Sequence, residues 1–184
     1  ALGLTREGLK VDLPKEKLKP GKKFNMLEIG KLSTRSNLTA DNGFSIELAI
    51  TTSRLNKDQV ILDTRKLENT GYGADAKFKG NGIVIKILEN GAFEILLEDG
   101  RTPLLWKTEP GIIREKTDHH MVVNVDGASK VLTFVIDGDL WDGGERPFGY
   151  ARFNPYLYDV NGEDKVAFSD EFKGSINSFR VYNR

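Results

Sequence analysis

Residues Ile83–Asp99 read IVIKILENGAFEILLED, two apolar-rich runs joined by Glu89-Asn90-Gly91. Two short apolar-rich runs set either side of a turn signal spell a β-hairpin, with Asn90-Gly91 supplying the positive φ angles of a tight turn. The same grammar recurs on both sides. GFSIELAITT (43–52) puts Phe44, Ile46, Leu48 and Ile50 on one face of a strand. DHHMVVNVD (118–126), the turn GASK and VLTFVIDG (131–138) form a second hairpin. GLKVDL, FNMLEIG and DQVILDTRK read as further strands, and the tail GSINSFRVYNR (174–184), alternating less strictly through Ile176, Phe179 and Val181, as a final central strand. ENTGYGADAKFKGNG (68–82) is glycine-rich and reads as a long loop or irregular edge.

Sustained helical spacing is nearly absent, so the chain is all-β. Half-apolar strands must cover their apolar faces, and two sheets facing each other do so, which predicts a two-sheet antiparallel β-sandwich. At 184 residues with 39% hydrophobic content, the expectation is one domain spanning 1–184. No repeat of fixed period points to a solenoid or propeller.

Charge excludes partners. Lys and Arg number 27, as do Asp and Glu, so no global field favours nucleic acid or an anionic membrane. No apolar run reaches the roughly 18–20 residues of a membrane-spanning helix. The opening ALGLTREGLK has no basic-then-apolar signal layout. A soluble chain, cut from a longer precursor, is the expectation. There is no cysteine, which removes disulfides, thiolate metal sites and cysteine nucleophiles together. The lysines at 15, 17, 19, 22 and 23 are the one charge bias and read as a solvated loop.

His119-His120-Met121 through Leu140, then a loop, then Phe172–Arg184, resemble the second half of a laminin G-like domain of the concanavalin A-like lectin/glucanase superfamily. The resemblance rests on Val123–Asp126 (VNVD), Ile136–Gly138 (IDG) and Gly174–Arg184 (GSINSFRVYNR). It covers about residues 119–184 and implies a concanavalin A-like jelly roll. The run DGGERPFGYARFNP (142–155), followed by DVNG, is similar to modules attached to secreted polysaccharide-degrading proteins of Bacteroidetes. That similarity implies an exported protein, at the cell surface, in the periplasm or outside the cell. The superfamily holds lectins, adhesion modules and hydrolases alike, so function has to come from the site.

Glucanases of the superfamily carry Glu-x-Asp-x-x-Glu on one strand, because alternate residues share a face and bring two carboxylates to one cleft. That spacing is missing here. Glu98 and Asp99 are adjacent, as are Asp170 and Glu171, and Glu89 lies at a turn while Glu94 stands apart. His119 and His120, the only histidines, are neighbours on a strand, so one points inward and the other outward. Serine-elbow and phosphate-loop motifs are absent. No catalytic residue is assigned.

A sugar site needs aromatic plates beside polar groups. Asp137–Pro155 supplies that inventory, and the candidate ligand residues are Trp141, Asp142, Arg146, Tyr150 and Arg152. Strand alternation places Tyr150, Arg152 and Asn154 on one face, and Phe153 on the core side. For Trp141 a second reading stays open, in which it closes one end of the sandwich. Trp106, in an apolar run, reads as core. Tyr156 and Tyr158 extend the polar-aromatic stretch.

Relatives of the laminin G and pentraxin kind often hold calcium on rim loops, and YDVNGEDK supplies hard oxygen donors, with Asp159, Asn161 and Glu163 as candidate ligands. Asp41 and Asn42 are a second donor pair. For both, an Asx turn is the competing reading. The function expected is a non-catalytic carbohydrate-binding or accessory module of an exported bacterial glycan-processing protein, with a poly- or oligosaccharide or a neighbouring domain as partner. The alternatives are a glycoside hydrolase or polysaccharide lyase of the same fold, and a structural or protein-binding module.

Overall fold

The computed structural model describes residues 3–5, 8–11, 28–30, 39–69, 78–141, 150–162, 166–169 and 171–183. Among them there is no helix. The strands are β1 (Gly3–Thr5), β2 (Gly8–Val11), β3 (Glu28–Gly30), β4 (Phe44–Thr52), β5 (Gln59–Asp63), β6 (Lys66–Asn69), β7 (Phe78–Ile87) and β8 (Phe93–Asp99). They continue with β9 (Leu104–Lys107), β10 (Asp118–Asp126), β11 (Val131–Ile136), β12 (Asp139–Trp141), β13 (Ala151–Arg152), β14 (Val166–Ala167) and β15 (Gly174–Asn183).

An eight-stranded sheet runs β1-β2-β15-β4-β10-β11-β12, with β13 also paired to β11. A five-stranded sheet runs β5-β7-β8-β9, with β6 also on β7, and β14 pairs with β3. The inward residues Phe44, Ile46, Leu48 and Ile50 of β4, Met121, Val123 and Val125 of β10, and Leu132, Phe134 and Ile136 of β11 are all buried. They meet Ile83, Ile85 and Ile87 of β7, Phe93, Ile95 and Leu97 of β8, and Trp106 of β9 in one core. Phe93 and Phe134 pack edge to face across the two sheets, centroids 5.4 Å apart, the arrangement that the ring quadrupole prefers.

Two local readings change in the structure. The Ile83–Asp99 hairpin turns with only Gly91 at positive φ (78°). The Gly91 N–H donates to the Leu88 carbonyl (2.9 Å) and the Leu88 N–H to the Ala92 carbonyl (2.9 Å), so the turn is a longer loop closed by a glycine bulge. The segment 68–82 is not a loop at its ends: Lys66–Asn69 pairs with Phe78–Asn81, and β7 runs on through Gly80 and Gly82 to Ile87. Its glycines make room for Arg65. A Cβ on Gly82, which has φ +147°, would lie 2.7 Å from the Arg65 Cα, and one on Gly80 2.8 Å from the Arg65 Cδ.

The tail is central, as its alternation suggests: β15 lies between β2 and β4. Its weaker periodicity has a cause. A register shift between Ile176 and Ser178 inserts one residue, so Ile176, Phe179 and Val181 all turn inward although the first two are three positions apart.

Candidate functional site

Directly paired residues of neighbouring strands share a face, and this rule divides the stretch 137–155. Trp141 pairs with Phe134 of the core, so its indole faces inward. It packs half-buried against the core, with Nε1 3.4 Å from the Ile136 carbonyl. Leu140, opposite Val135, faces outward and is exposed. Further along the same edge of β11, Ala151 pairs with buried Leu132 and Arg152 with Val131. Arg152 is therefore on the outer face, its guanidinium 6.0 Å from the centroid of the Tyr150 ring, within cation–π reach. Tyr150 and Arg152 come together, whereas Trp141 is on the opposite side of the sheet. Asp142 and Arg146 lie outside the described residues, as does the lysine run 15–23. Phe153 and Trp106 are in the core.

The outer face of the eight-stranded sheet carries a second group of side chains, drawn from β4, β10 and β15. Glu47 pairs with Arg180 on one side and Val122 on the other. Its Oε1 accepts from Arg180 Nη1 (2.9 Å) and from His120 Nε2 (2.9 Å), and its Oε2 accepts from the Tyr182 hydroxyl (2.6 Å). Burial opposes ionisation of Glu47, but the Tyr182, His120 and Arg180 donors outweigh it and hold the carboxyl below its ordinary value. Burial and the hydrogen bond to Glu47 push the Tyr182 phenol up. Around this centre Ser45 Oγ donates to Asn124 Oδ1 (2.7 Å) and Thr51 Oγ1 to Asp118. The sheet thus presents preorganised donors and acceptors in rows that cross its strands. Motif reading missed this group, because Glu47 and Arg180 are 133 positions apart. The signal that was available is the polar alternate positions of SIELAITT and SFRVYN.

The adjacent histidines do face opposite ways, with side chains 0% exposed for His119 and 53% for His120. The His119 Nε2 accepts the Arg114 N–H (3.0 Å), which leaves the ring proton on Nδ1 to be donated to Asp137 Oδ2 (2.6 Å). Asp137 Oδ1 accepts the His120 N–H (2.8 Å). Burial works against the charge on Asp137, yet the His120 amide, the His119 imidazole and the Arg114 charge hold its carboxyl below the ordinary value. With its side chain fully buried, His119 is a structural brace for the Asp137-Gly138 turn and not a group that meets a ligand.

Among the candidate calcium donors, Asp159 and Asp41 are engaged with neighbouring protein groups. Asp159 Oδ1 accepts from the Asn161 backbone N–H (3.0 Å) and Nδ2 (2.6 Å), and Oδ2 from Asn81 Nδ2 (3.2 Å). This is an Asx turn, closed by the Gly162 N–H on Asn81 Oδ1 (3.0 Å). Asp41 is ion-paired with Lys130, and the Asn42 N–H bonds Thr39 Oγ1 (3.1 Å). Calcium takes six to eight oxygens, and among the described residues no three His, Cys, Asp or Glu converge on one point. Glu163 lies outside the described residues. The described carboxylates of both loops are thus engaged within the protein, Asp159 by hydrogen bonds and Asp41 by an ion pair.

A two-layer antiparallel sandwich with an inward aromatic-aliphatic core and a networked outer face is the concanavalin A-like architecture. The chain belongs to the concanavalin A-like lectin/glucanases superfamily, a laminin G-type family model matching residues 30–184. No curated protein matches it. Among solved structures, the sialidase CBM40 of Ruminococcus gnavus bound to alpha2,3 sialyllactose is similar at 19% identity and TM-score 0.57, over 96% of this chain and 85% of that one. The leech intramolecular trans-sialidase complexed with 2,7-anhydro-Neu5Ac is similar at 17% and 0.57, over 97% of this chain but 24% of the enzyme. The NanB sialidase of Streptococcus pneumoniae is similar at 19% and 0.55, over 78% of this chain and 22% of the enzyme. At these identities the likeness is one of fold, and this chain spans about a quarter of the two enzymes' lengths.

Proposed function

We propose that this chain is a non-catalytic carbohydrate-binding module whose ligand lies on the outer face of the eight-stranded sheet. The observation that carries the reading is the Glu47 network: a carboxylate fixed by three donors from two neighbouring strands, next to solvent. Sugar hydroxyls both give and accept hydrogen bonds, so a carboxylate beside a guanidinium and a phenol suits a vicinal pair of them. Tyr150 and Arg152, on the same face, add a ring and a cation, and Asp142 and Arg146 of the neighbouring segment remain candidate contacts. The fold supports the reading, because the similar solved structures include a module bound to sialyllactose.

Attachment to an exported bacterial glycan-processing protein is part of the same proposal, supported by the resemblance of residues 142–155 to modules of such proteins. The test is a panel of neutral and acidic glycans, sialyllactose included, with and without calcium, against the wild type and Arg180→Met. Binding that the variant loses at unchanged thermal stability is the result expected. A panel without a binder, or one in which no glycan loses binding in Arg180→Met, overturns the assignment of this face.

A further inference from the structure

At one end of the sandwich, three loops are tied into a single rim. The loops around 39–43 and 153–159 run side by side, joined by the bridge Thr39–Asp159 and by the Ala40 N–H on the Tyr158 carbonyl (2.8 Å). The turn after β8 is fastened to them by Asp99. Its Oδ1 accepts the Arg101 (2.9 Å) and Thr102 (2.7 Å) N–H groups, and its Oδ2 the Tyr158 N–H (3.1 Å). Within the second loop the Leu157 N–H reaches the Asn154 carbonyl (2.9 Å) and the Tyr156 N–H the Asn154 Oδ1 (3.0 Å). Leu157 is plugged into the core. Its neighbours stand in water, Tyr156 82% and Tyr158 55% exposed.

We propose that this rim is a second carbohydrate contact, separate from the Glu47 face, which stacks a neutral pyranose on Tyr156 and Tyr158. Two large rings are held largely in solvent on a well-anchored loop, and a tyrosine spends few rotatable bonds when it meets a ligand. The apolar face of a pyranose is the complement of such rings. The charge of the rim decides the class of sugar. Asp99 is occupied by three N–H groups, Asp159 by three more, and Asp41 by Lys130. The exposed Arg101 is offset by Asp99 two residues away. Among the described residues of these three loops, what remains to a ligand is ring faces, phenolic hydroxyls and the neutral amides of exposed Asn42 and Asn154, with no surplus cation to hold a carboxylate or sulfate.

The experiment is calorimetric titration of the whole chain with neutral oligosaccharides (cello-, xylo-, manno- and chito-series) and with acidic ones (sialyllactose, oligogalacturonate). The variants are Tyr156→Ala/Tyr158→Ala, Tyr156→Phe/Tyr158→Phe and Arg180→Met. The alanine pair weakens binding of a neutral oligosaccharide at least about tenfold at unchanged melting temperature. The phenylalanine pair retains it, because the rings remain, and Arg180→Met leaves it intact. The proposal is overturned if no neutral oligosaccharide binds at millimolar concentration, if the alanine pair binds as the wild type does, or if the phenylalanine pair fails too. The Glu47 face is read from ligands whose binding Arg180→Met abolishes and the rim from ligands whose binding it spares, so either reading can fail while the other stands.

Discussion

Replacing the two adjacent histidines one at a time by leucine tests the register on which the Glu47 site depends. His119→Leu keeps a similar volume in the core but removes two hydrogen bonds. The bond to Asp137 Oδ2 is charge-assisted, a class that contributes about 1.5–3 kcal/mol. The lower end applies, because the Asp137 side chain is 40% exposed and water replaces part of what is lost. The Arg114 N–H loses its acceptor, for about 1 kcal/mol more. The sum, about 2–3 kcal/mol, corresponds in a domain of this size to a fall in melting temperature of roughly 4–12 °C. His120→Leu removes a surface bond to Glu47 from a side chain 53% exposed, a type of interaction that contributes about 0–1 kcal/mol and so shifts the midpoint by no more than roughly 4 °C. Thermal unfolding followed by circular dichroism, at neutral pH and one salt concentration, reads both. A loss for His120→Leu equal to or larger than that for His119→Leu would reverse the inward and outward faces of β10 and refute the reasoning.

Asp137→Asn carries a pH signature. The folded carboxyl lies below its unfolded value, so its stabilising contribution is fully present above the unfolded value of about 3.9 and is lost as pH falls through the folded one. The wild type is therefore more stable than Asp137→Asn at pH 6, and the gap closes below about pH 4; a gap independent of pH in urea titrations contradicts the assignment. Trp141→Ala removes a half-buried indole where full burial would contribute about 3–5 kcal/mol, so a loss of about 1.5–2.5 kcal/mol is expected, with glycan binding unchanged because the ring faces inward. Binding lost at unchanged stability would return the ligand contact to Trp141.

Strand content was legible because β4 alternates cleanly, as follows from one face meeting a core, and because β7 and β8 carry short apolar runs set either side of a turn signal. Glycine misled at 68–82. Its low strand propensity reads as loop, whereas Gly80 and Gly82 are strand residues that let the Arg65 backbone and side chain approach. The tail blurred for a different reason, since the inserted residue after Ile176 breaks the period of two that the eye follows. Neither the place of β15 between β2 and β4 nor the double occupancy of the β11 edge by β12 and β13 is written in local composition; both are consequences of which long-range pairings close the core.

The candidate site was less legible than the fold, and strand geometry explains why. A linear motif collects consecutive residues, but consecutive residues of a strand belong to opposite faces, so a run such as 139–152 necessarily mixes core and surface. Trp141 and Arg152 appear together in it and point apart in the sheet. The groups able to act as one are instead those in a row across strands, such as Arg180 and Glu47, whose neighbour in the row is Val122. Each comes from a different strand, at a separation no motif spans. The rim is the exception. There the chain leaves the sheet and Leu157 turns inward between two exposed tyrosines, so residues close in sequence remain close in function. A sandwich of this kind can therefore carry a site that its primary structure shows, on a loop, and another that only its strand order assembles.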